Sequence, residues 1–246
     1  MRINPVARRG FGLAPDVYEG ARPDYPQSAV SWLVEKMGLG PSQTVIDVGA
    51  GTGKLTRHLV ALGAKAIAVE PLPGMRAKLA DVVAETGILE GTAEAIPVPD
   101  GSADRVTVGQ AFHWFRFDEA LGELHRVLRP GGSLGLVSND RDLEQPLQAA
   151  LNGIVHRNER HAKAEEWQAA LDETPFFTRP ERRCFRWGDT WDAERLVAFA
   201  SSLSEIASLP AGAREAKLEE VRALTAGLPA RFEVRFRTDA YVYRRR

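Results

Sequence analysis

The stretch that decides the fold reads Thr44-Val45-Ile46-Asp47-Val48-Gly49-Ala50-Gly51-Thr52-Gly53-Lys54. Apolar and β-branched residues lead up to three glycines at alternate positions, and an apolar pattern of helical spacing follows from Leu55. This order predicts a buried strand that turns sharply into a helix. Glycine suits such a turn because it adopts positive φ and because the missing Cβ lets a ligand approach the backbone. The stretch is therefore either a ligand-binding turn or a purely structural one.

The glycine spacing restricts the kind of ligand. A P-loop requires GxxxxGK[ST], which does not occur in the chain. The dinucleotide fingerprint is GxGxxG, and Lys54 occupies the position of its third glycine. Asp47 lies close to where a pyrophosphate would sit and would repel it. An acid there favours a ligand that carries positive charge, such as an amino-acid ammonium group.

Composition sets the broad class of protein. The 246 residues are near the upper end for one core, and a net charge of −1 gives no global field for nucleic acid. Cys184 is the only cysteine, which excludes a disulfide framework and a cysteine-based zinc cluster. No apolar run is long enough to cross a membrane, and the basic first residues lack the apolar core of a secretory signal. We expect a cytoplasmic protein, monomer or homodimer, without a nucleic-acid or membrane partner.

Strand and helix patterns alternate five times between residues 44 and 138, which predicts a parallel sheet with right-handed crossovers. The second strand ends at Glu70, about 20 residues after Gly49, where βαβ geometry places an acid within reach of a ribose diol. Glu94 follows the third strand at the same edge of the sheet. Its carboxylate is expected to accept from an adenine amino group, the alternative being a solvated loop acid.

The fourth strand runs into Gln110-Ala111-Phe112-His113-Trp114-Phe115. Ligands of open α/β sheets bind beyond the carboxyl ends of the strands. His113 is therefore predicted beside the reactive end of the cofactor, where it would orient an acceptor or take its proton. Trp114 and Phe115 are predicted to wall a pocket for a small, partly apolar acceptor. The alternative for His113 is a hydrogen-bonded core histidine.

No linker or repeat divides the chain, so residues 1–246 are predicted to form one domain. Residues 1–25 carry Tyr18, Arg22 and Tyr25 among prolines and glycines, and form either a lid over the cofactor or a packing strap. Residues 26–140 are predicted to be the cofactor-binding core, and 141–230 a mainly helical cover over the acceptor. The remaining residues, 231–246, alternate strictly and predict a final edge strand.

With these features assembled, the chain resembles the class I S-adenosylmethionine-dependent methyltransferases, strongly over residues 15–140 and more loosely over 175–246. Four segments carry the resemblance: Asp47-Val48-Gly49-Ala50-Gly51-Thr52-Gly53, Val69-Glu70-Pro71 with Met75, Thr92-Ala93-Glu94-Ala95-Ile96-Pro97, and Leu128-Arg129-Pro130-Gly131-Gly132. Two further segments are similar to the small-molecule, type 11 branch: Tyr18-x-x-x-Arg22-Pro23-x-Tyr25-Pro26 and Gln110 to Phe115. The chain departs at Ser138-Asn139, where that branch has a tryptophan before the asparagine.

The resemblance implies a Rossmann-like, doubly wound α/β fold with a mostly parallel seven-stranded sheet, one antiparallel edge strand and a helical cover. It implies S-adenosyl-L-methionine as cofactor, no metal, and a small-molecule methyl acceptor. Asp47 would face the methionine ammonium group, Glu70 the ribose and Glu94 the adenine, and His113 would be the catalytic residue. The implied cofactor site comprises Tyr18, Arg22, Tyr25, Asp47, Gly49, Ala50, Gly51, Gly53, Glu70, Pro71, Leu72, Thr92, Ala93, Glu94 and Gln110, and the acceptor site Trp114, Phe115 and Asn139.

Other functions predict other features. A metal-assisted methyltransferase would have acids clustered after strands four and five, but strand four ends in Gln110 and His113. An amino-methylating enzyme of nucleic acids would show an Asn/Asp-Pro-Pro-aromatic motif, which does not occur here. An NAD-dependent oxidoreductase and a catalytically silent S-adenosylmethionine-binding protein are the remaining alternatives. An oxidoreductase would bind NAD, whereas a methyltransferase would bind the adenosyl ligand. A catalytically silent protein would bind the adenosyl ligand but show no turnover.

Overall fold

The structure is a computed structural model that describes residues 19–83, 86–155 and 158–246. Tyr18, predicted to lie in the lid, is outside the described residues. A 3₁₀ turn occupies Phe112–Trp114. The other elements are α1 (Gln27–Met37), β1 (Thr44–Val48), α2 (Thr56–Ala61), β2 (Lys65–Val69), α3 (Pro73–Val82), β3 (Gly87–Leu89), β4 (Ala103–Gly109), α4 (Phe117–Val127), β5 (Leu128–Arg141), α5 (Pro146–Val155), α6 (Asn158–Glu173), β6 (Glu181–Trp191), α7 (Ala193–Ser201), α8 (Ser204–Ala207), α9 (Ala211–Leu224) and β7 (Phe232–Arg244).

Within the described part of the chain, seven strands form one sheet in the order β3-β2-β1-β4-β5-β7-β6. β1 pairs in parallel with both β2 and β4, β2 pairs with β3, and β4 pairs with β5 in the same sense. The order reverses between β1 and β4, and ligands bind beyond the carboxyl ends of the strands at such a switch point. The predicted doubly wound, mostly parallel α/β fold is confirmed.

The last strand, β7, is the antiparallel one, as expected, but it lies one position inside the edge. Ser133 of β5 pairs with Arg244, and Glu181 of β6 pairs with Val242, both in antiparallel ladders. The expected edge position of residues 231–246 is therefore corrected, because β6 is outermost. The physical reason is burial: Val242 and Tyr243 of β7 are buried on opposite faces, whereas most of β6 is exposed and charged, as suits an edge.

Helices cover both faces of the sheet. On one face α1 and α2 bury Leu33 and Leu59 against Val45 of β1. On the other face α4 and α6 bury Leu124 and Leu171 in a cluster that contains alternate residues of β1, β4 and β5. Each fully buried leucine of this kind contributes about 2–5 kcal/mol relative to alanine. None of the described helices is both long and apolar enough to cross a membrane.

The predicted cover is built from α5, α7, α8 and α9 around Trp191 and Phe236. Asp192 is the N-cap of α7, since its side chain accepts from the Arg195 N–H at 2.8 Å. The first part of the cover segment forms two helices, α5 and α6. Within β5 the pairing with β4 shifts register between Leu128 and Ser133, and Gly131 there has φ 75°.

Candidate active site

The turn after β1 contains three glycines for two different reasons. Gly49, Gly51 and Gly53 have φ values of 70°, 59° and 91°. A Cβ on Gly49 would lie 2.7 Å from the Ala111 Cβ, and one on Gly53 would lie 2.5 Å from the Leu79 Cδ1. A Cβ on Gly51 would have no neighbour within 4 Å. Packing therefore requires the first and third glycines, whereas Gly51 faces open space in which a ligand can approach the backbone.

Glu70 braces this turn from the end of β2. Its Oε2 accepts from the Gly51 N–H at 3.0 Å, and its Oε1 accepts from the Leu72 N–H at 2.9 Å. Burial raises the pKa of Glu70, while these hydrogen bonds and the Arg76 charge act to lower it. Arg76 itself donates to the Pro71 carbonyl at 2.7 Å. Each carboxylate oxygen has a second acceptor site, so Glu70 can accept from a diol while it holds the turn.

The backbone of the turn is also tied to β2, because the Gly49 and Ala50 N–H groups both donate to the Val69 carbonyl, at 2.8 and 3.2 Å. Behind this contact lies Asp47, whose side chain accepts from the Thr56 hydroxyl at 2.6 Å and the Thr107 hydroxyl at 2.9 Å. Asp47 is only 1% exposed. Burial raises the pKa of Asp47 to about 6, although the two hydroxyl groups act to lower it. The predicted action of Asp47 on the ammonium group of a ligand stays a prediction.

Glu94 lies at the predicted adenine edge and contacts the start of α4. Its Oε1 accepts from the Arg116 N–H at 2.9 Å, and the Arg116 guanidinium is 3.9 Å away. Thr92 and Ala93 are buried in front of it, and the Thr92 carbonyl accepts from the Ala95 N–H at 3.1 Å. The structure thus gives Glu94 a protein partner, and its contact with adenine stays a prediction.

Gln110 ends β4 in a conformation that is rare for a residue with a side chain, with φ 58°. Its Nε2 donates to the Asn139 carbonyl at 3.0 Å, and its Oε1 accepts from the Asn139 N–H at 2.6 Å. The Gln110 N–H donates to the Val137 carbonyl at 2.9 Å. These three bonds join the ends of β4 and β5 beside the predicted acceptor site.

The side chain of Asn139 is engaged by protein at both ends. Its Nδ2 donates to the Asp24 carbonyl at 3.0 Å, and its Oδ1 accepts from the Thr238 hydroxyl at 2.6 Å. The Trp187 indole N–H donates to that same hydroxyl at 2.8 Å. Asn139 therefore joins the segment before α1 to β7 through its side chain. Its predicted contact with an acceptor stays a prediction.

His113 lies on the 3₁₀ turn, with its ring 4.7 Å from the ring of Trp114. It lines a cavity of about 440 Å³ beyond the ends of β4 and β5, which Trp167 and Tyr241 also line. Phe115 lies elsewhere, at the glycine turn, where its Cζ would be 3.5 Å from a Cβ on Gly49. The structure thus brings His113 to a cavity large enough for a small acceptor and places Phe115 against the predicted cofactor turn.

The cavity is more polar than the sequence predicts. Seven charged side chains of the described residues line it: Asp140, Arg141, Asp142, Glu144, Arg186, Arg237 and Asp239. They come from the end of β5, the loop after it, and the two outer strands. The cover segment contributes Trp167 and Gln168 of α6, and Gln168 donates to the Tyr241 hydroxyl at 3.0 Å.

The arm, here Glu19–Tyr25, is fastened to the glycine turn by Glu19. The Thr52 hydroxyl donates to Glu19 Oε2, and the Arg57 Nη1 donates to Oε1 at 2.9 Å. The Lys54 ammonium donates to the Glu19 carbonyl at 2.8 Å. Lys54, the residue in place of a dinucleotide site's third glycine, thus binds the arm.

Asp24 makes a second attachment of the arm, to α2. It accepts from Arg57, and its Oδ1 lies 3.1 Å from the His58 Nε2. Burial would raise the pKa of Asp24, but hydrogen bonds from His58, the Tyr25 N–H and Arg57 outweigh burial and hold the pKa at about 2. The carboxylate therefore keeps its charge over the whole range in which proteins are normally folded.

Arg22 and Tyr25, both predicted at the cofactor, point to different neighbours. Arg22 Nη2 donates to the Ser202 carbonyl at 2.8 Å, and its guanidinium lies 5.6 Å from the centre of the Phe199 ring in the cover. The Tyr25 hydroxyl oxygen would lie 2.7 Å from a Cβ on Gly109, at the end of β4. The arm therefore connects the glycine turn, the strand ends and the cover.

A small cavity of about 40 Å³ lies under the arm, lined by Arg22, Tyr25, Lys54 and Gln110 among others. Its wall shares Gln110, Asp140 and Arg141 with the wall of the larger cavity. The small cavity under the arm and the larger cavity that His113 lines are thus adjacent.

The groups around the turn fit an adenosyl amino acid. The buried carboxyls of Asp47 and Glu70 suit an ammonium group and a ribose diol, and the open side of Gly51 admits the ligand to the backbone. Residues 46–136 match the family model of a methyltransferase domain. The uncharacterized methyltransferase Rv3342 of Mycobacterium tuberculosis is 39% identical over 220 residues, which cover 89% of this chain and 87% of that protein. The chain is a class I S-adenosylmethionine-dependent methyltransferase.

Two further proteins are similar to this methyltransferase, one in sequence and one in fold. The uncharacterized methyltransferase C25B8.09 of Schizosaccharomyces pombe is 34% identical over 214 residues, covering 83% of each chain. A geranyl diphosphate methyltransferase solved in complex with SAM shares the fold, with a TM-score of 0.51, 17% identity, and coverage of 89% of this chain and 85% of that one.

Sequence reasoning missed four residues that attach the arm to the glycine turn and to α2: Glu19, Asp24, Thr52 and Lys54. They belong to contacts between segments about 30 residues apart, and no local periodicity marks such contacts. The one feature of the sequence that indicates these contacts is charge. Acids in the segment before α1 and cations at the start of α2 have complementary signs.

Proposed function

We propose that this methyltransferase transfers the methyl group of S-adenosyl-L-methionine to a small-molecule acceptor bound in the cavity beside His113. One observation carries the proposal. The 440 Å³ cavity that His113 lines shares part of its wall with the small cavity under the arm, which Lys54 at the end of the glycine turn also lines. A methyl donor at the turn and an acceptor in the cavity would therefore face each other at Gln110.

The cofactor's binding residues are proposed from the geometry of the turn. Glu70 accepts from the ribose hydroxyls, and Asp47 acts on the methionine ammonium group through water. The open side of Gly51 lies along the cofactor. Leu72 and Glu94 lie toward the adenine, and Arg22 and Tyr25 act from the lid.

S-adenosylmethionine supplies a methyl group on a sulfonium, which an acceptor atom displaces in line. The protein's main contribution to such a reaction is to position the acceptor. His113 orients the acceptor and takes its proton if the acceptor atom carries one. The arm, tied to the turn by Glu19 and to the cover by Arg22, excludes water from the space between donor and acceptor.

The proposal is tested by thermal denaturation and calorimetric titration with S-adenosylmethionine, S-adenosylhomocysteine and NAD. Both adenosyl amino acids should bind and raise the melting temperature, and NAD should do neither. If neither adenosyl ligand binds, the proposed function is wrong. Incubation with a metabolite extract and methyl-labelled cofactor, followed by mass analysis of the labelled product, then identifies the acceptor.

A further inference from the structure

Two arginines lie side by side on the outer part of the sheet. Arg186 of β6 and Arg237 of β7 are directly paired in the antiparallel ladder, and both line the 440 Å³ cavity. Directly opposite residues of neighbouring strands have their Cβ atoms about 5 Å apart, and like charges in that relation are destabilising. Four carboxylates of the same wall, Asp140, Asp142, Glu144 and Asp239, offset these charges, so the wall already holds anionic groups beside both arginines.

Both arginines already hold carboxylates in the structure. The two Nη atoms of Arg186 donate to the two carboxylate oxygens of Glu144, which lies in the loop after β5 and also lines the cavity. Arg237 lies 3.0 Å from the Asp239 carboxylate. The Glu144 side chain is 69% exposed and that of Arg186 is 56% exposed. An ion pair this exposed is screened by water and weak, so a ligand oxyanion can replace Glu144.

We propose that Arg186 and Arg237 bind an oxyanion of the methyl acceptor, a carboxylate or a phosphate. The planar guanidinium forks match the geometry of these groups, and Glu144 marks the place where one carboxylate fits. This assignment rests on the proposed function, because it gives the chemical class of the acceptor for the same site. It also replaces the expectation of a partly apolar acceptor.

The sheet sets the length of the acceptor. β7 and β6 lie two and three strands away from β4, after which His113 follows. With strands about 4.8 Å apart, the backbones of the two arginines lie roughly 10–14 Å sideways from β4. Arg237 pairs with Asp140, three residues after the partner of Gly109, so it also lies about 10 Å beyond the end of β4. The acceptor is therefore elongated, with its oxyanion at the end opposite the atom that receives the methyl group.

The test is calorimetric titration of the S-adenosylhomocysteine-loaded protein with octanoate, octyl phosphate and octanamide. The alkyl chain adapts to the shape of the cavity and spans the required distance, and the three probes differ only in the head group. At least one of the two oxyanions should bind about tenfold or more tightly than the amide. Comparison of octanoate with octyl phosphate tells which oxyanion the arginines prefer.

Three variants sharpen the test. Double replacement by Arg186→Gln and Arg237→Gln should reduce oxyanion affinity to that of the amide. Arg183→Gln is the matched control, since Arg183 lies on β6 against Phe185 and does not line the cavity. Glu144→Gln removes the competing carboxylate and should tighten oxyanion binding, an effect that a merely structural ion pair would not give.

The proposal is overturned if neither oxyanion binds better than octanamide to the loaded protein, including the case in which none of the probes binds. It is also overturned if the double variant keeps the preference. The preceding titration with S-adenosylhomocysteine distinguishes failure of this inference from failure of the proposed function. Loss of that binding overturns the proposed function, whereas intact cofactor binding without oxyanion preference overturns only this inference.

Discussion

Gln110 and Asn139 exchange two hydrogen bonds, with the side-chain amide of the first pairing with the backbone of the second at 3.0 and 2.6 Å. A side-chain amide has the same donor and acceptor as a peptide group. Gln110 therefore extends the pairing of β4 with β5 after its own backbone has turned away with φ 58°. That backbone conformation costs about 1–2 kcal/mol for a residue with a Cβ. The surrounding bonds hold it in place, and they fix the start of the turn that carries His113.

Gln110→Ala should be strongly destabilising. The variant keeps the backbone strain, loses both bonds to Asn139, and leaves two partly buried backbone groups without these partners. We expect the free energy of unfolding to fall by about 2–3 kcal/mol, as measured by urea denaturation. Gln110→Gly is the matched control, because it loses the same bonds but relieves the strain. It should be about 1 kcal/mol more stable than the alanine variant; the reverse order would contradict the strain argument.

Gly51 and Gly53 should respond differently to alanine. At Gly53 the new Cβ would lie 2.5 Å from Leu79 and φ is 91°, so the variant should lose about 3 kcal/mol of stability. At Gly51 the new Cβ meets open space, so the loss should be about 1–2 kcal/mol from the positive φ alone. Affinity for S-adenosylhomocysteine should nevertheless fall about tenfold or more in Gly51→Ala. Calorimetric titration of both variants with S-adenosylhomocysteine measures this affinity. Wild-type affinity in Gly51→Ala would show that the ligand does not bind at the open side of Gly51.

The sequence predicts the first half of the fold and the core of the site because their determinants are local. An apolar run, the alternate glycines from Gly49 and an acid at Glu70 define strand, turn and second strand within about 30 residues. The parallel order of β1 to β5 follows from the alternation of strands and helices. His113 is placed at a strand end by the same reasoning, and the structure puts it at a cavity.

The rest depends on contacts that periodicity cannot show. Strict alternation identifies β7 as a strand but does not say that β6 pairs on its outer side. The pairing of Arg186 with Arg237 follows from that order, so the charged character of the cavity was not foreseen. The attachment of Glu19 to the glycine turn likewise joins distant segments. Each of these features needs the tertiary structure.

Asp47 predicts a pH dependence of cofactor affinity. Its pKa is about 6 in the free protein because it is buried. A bound ammonium group favours the ionised carboxyl, so binding below pH 6 must release a proton. Affinity for S-adenosylhomocysteine should therefore weaken as the pH falls through 6. Asp47→Asn should bind more weakly near neutral pH and lack this dependence; calorimetry between pH 5 and pH 8 measures both, and parallel curves would refute the role of Asp47.

The same carboxyl predicts a pH dependence of stability. Its folded pKa of about 6 is above the unfolded value of 3.8, so the fold favours the neutral form. The stabilisation from Asp47 is complete below pH 3.8 and is lost as the pH rises through 6, by up to about 3 kcal/mol. Asp47→Asn cannot titrate, so its free energy of unfolding relative to wild type should increase between pH 4 and pH 7. Urea denaturation at several pH values tests this, and a constant difference would count against the raised pKa.

His113→Gln should separate binding from turnover. The cofactor turn does not include His113, so affinity for S-adenosylhomocysteine should stay at the wild-type value. Turnover of the acceptor identified by product mass should fall about a hundredfold if His113 takes a proton. His125→Gln is the control, because His125 lies at the other end of α4 against Phe176. Wild-type turnover in His113→Gln would remove the histidine from the reaction.

Glu19→Gln tests whether the arm is a lid or only a packing strap. Glu19 accepts from Thr52 and Arg57 and lies 3.4 Å from the Lys54 ammonium, so the neutral amide would lose the ionic part of three contacts. Because the side chains of Glu19 and Lys54 are only 15% and 13% exposed, loss of these charge-assisted bonds should lower the free energy of unfolding by about 1.5–3 kcal/mol. A lid that closes over the cofactor should loosen, with faster amide exchange at residues 19–25 and about tenfold weaker binding of S-adenosylhomocysteine.

The matched control is Glu35→Gln, which removes an exposed carboxylate from α1, away from the turn. It should leave both exchange and binding unchanged. Faster exchange in Glu19→Gln with wild-type affinity would show that the arm is attached to the glycine turn without covering the cofactor. The arm would then be a packing strap, and the exclusion of water would have to come from the cover helices, which Arg22 contacts at Ser202.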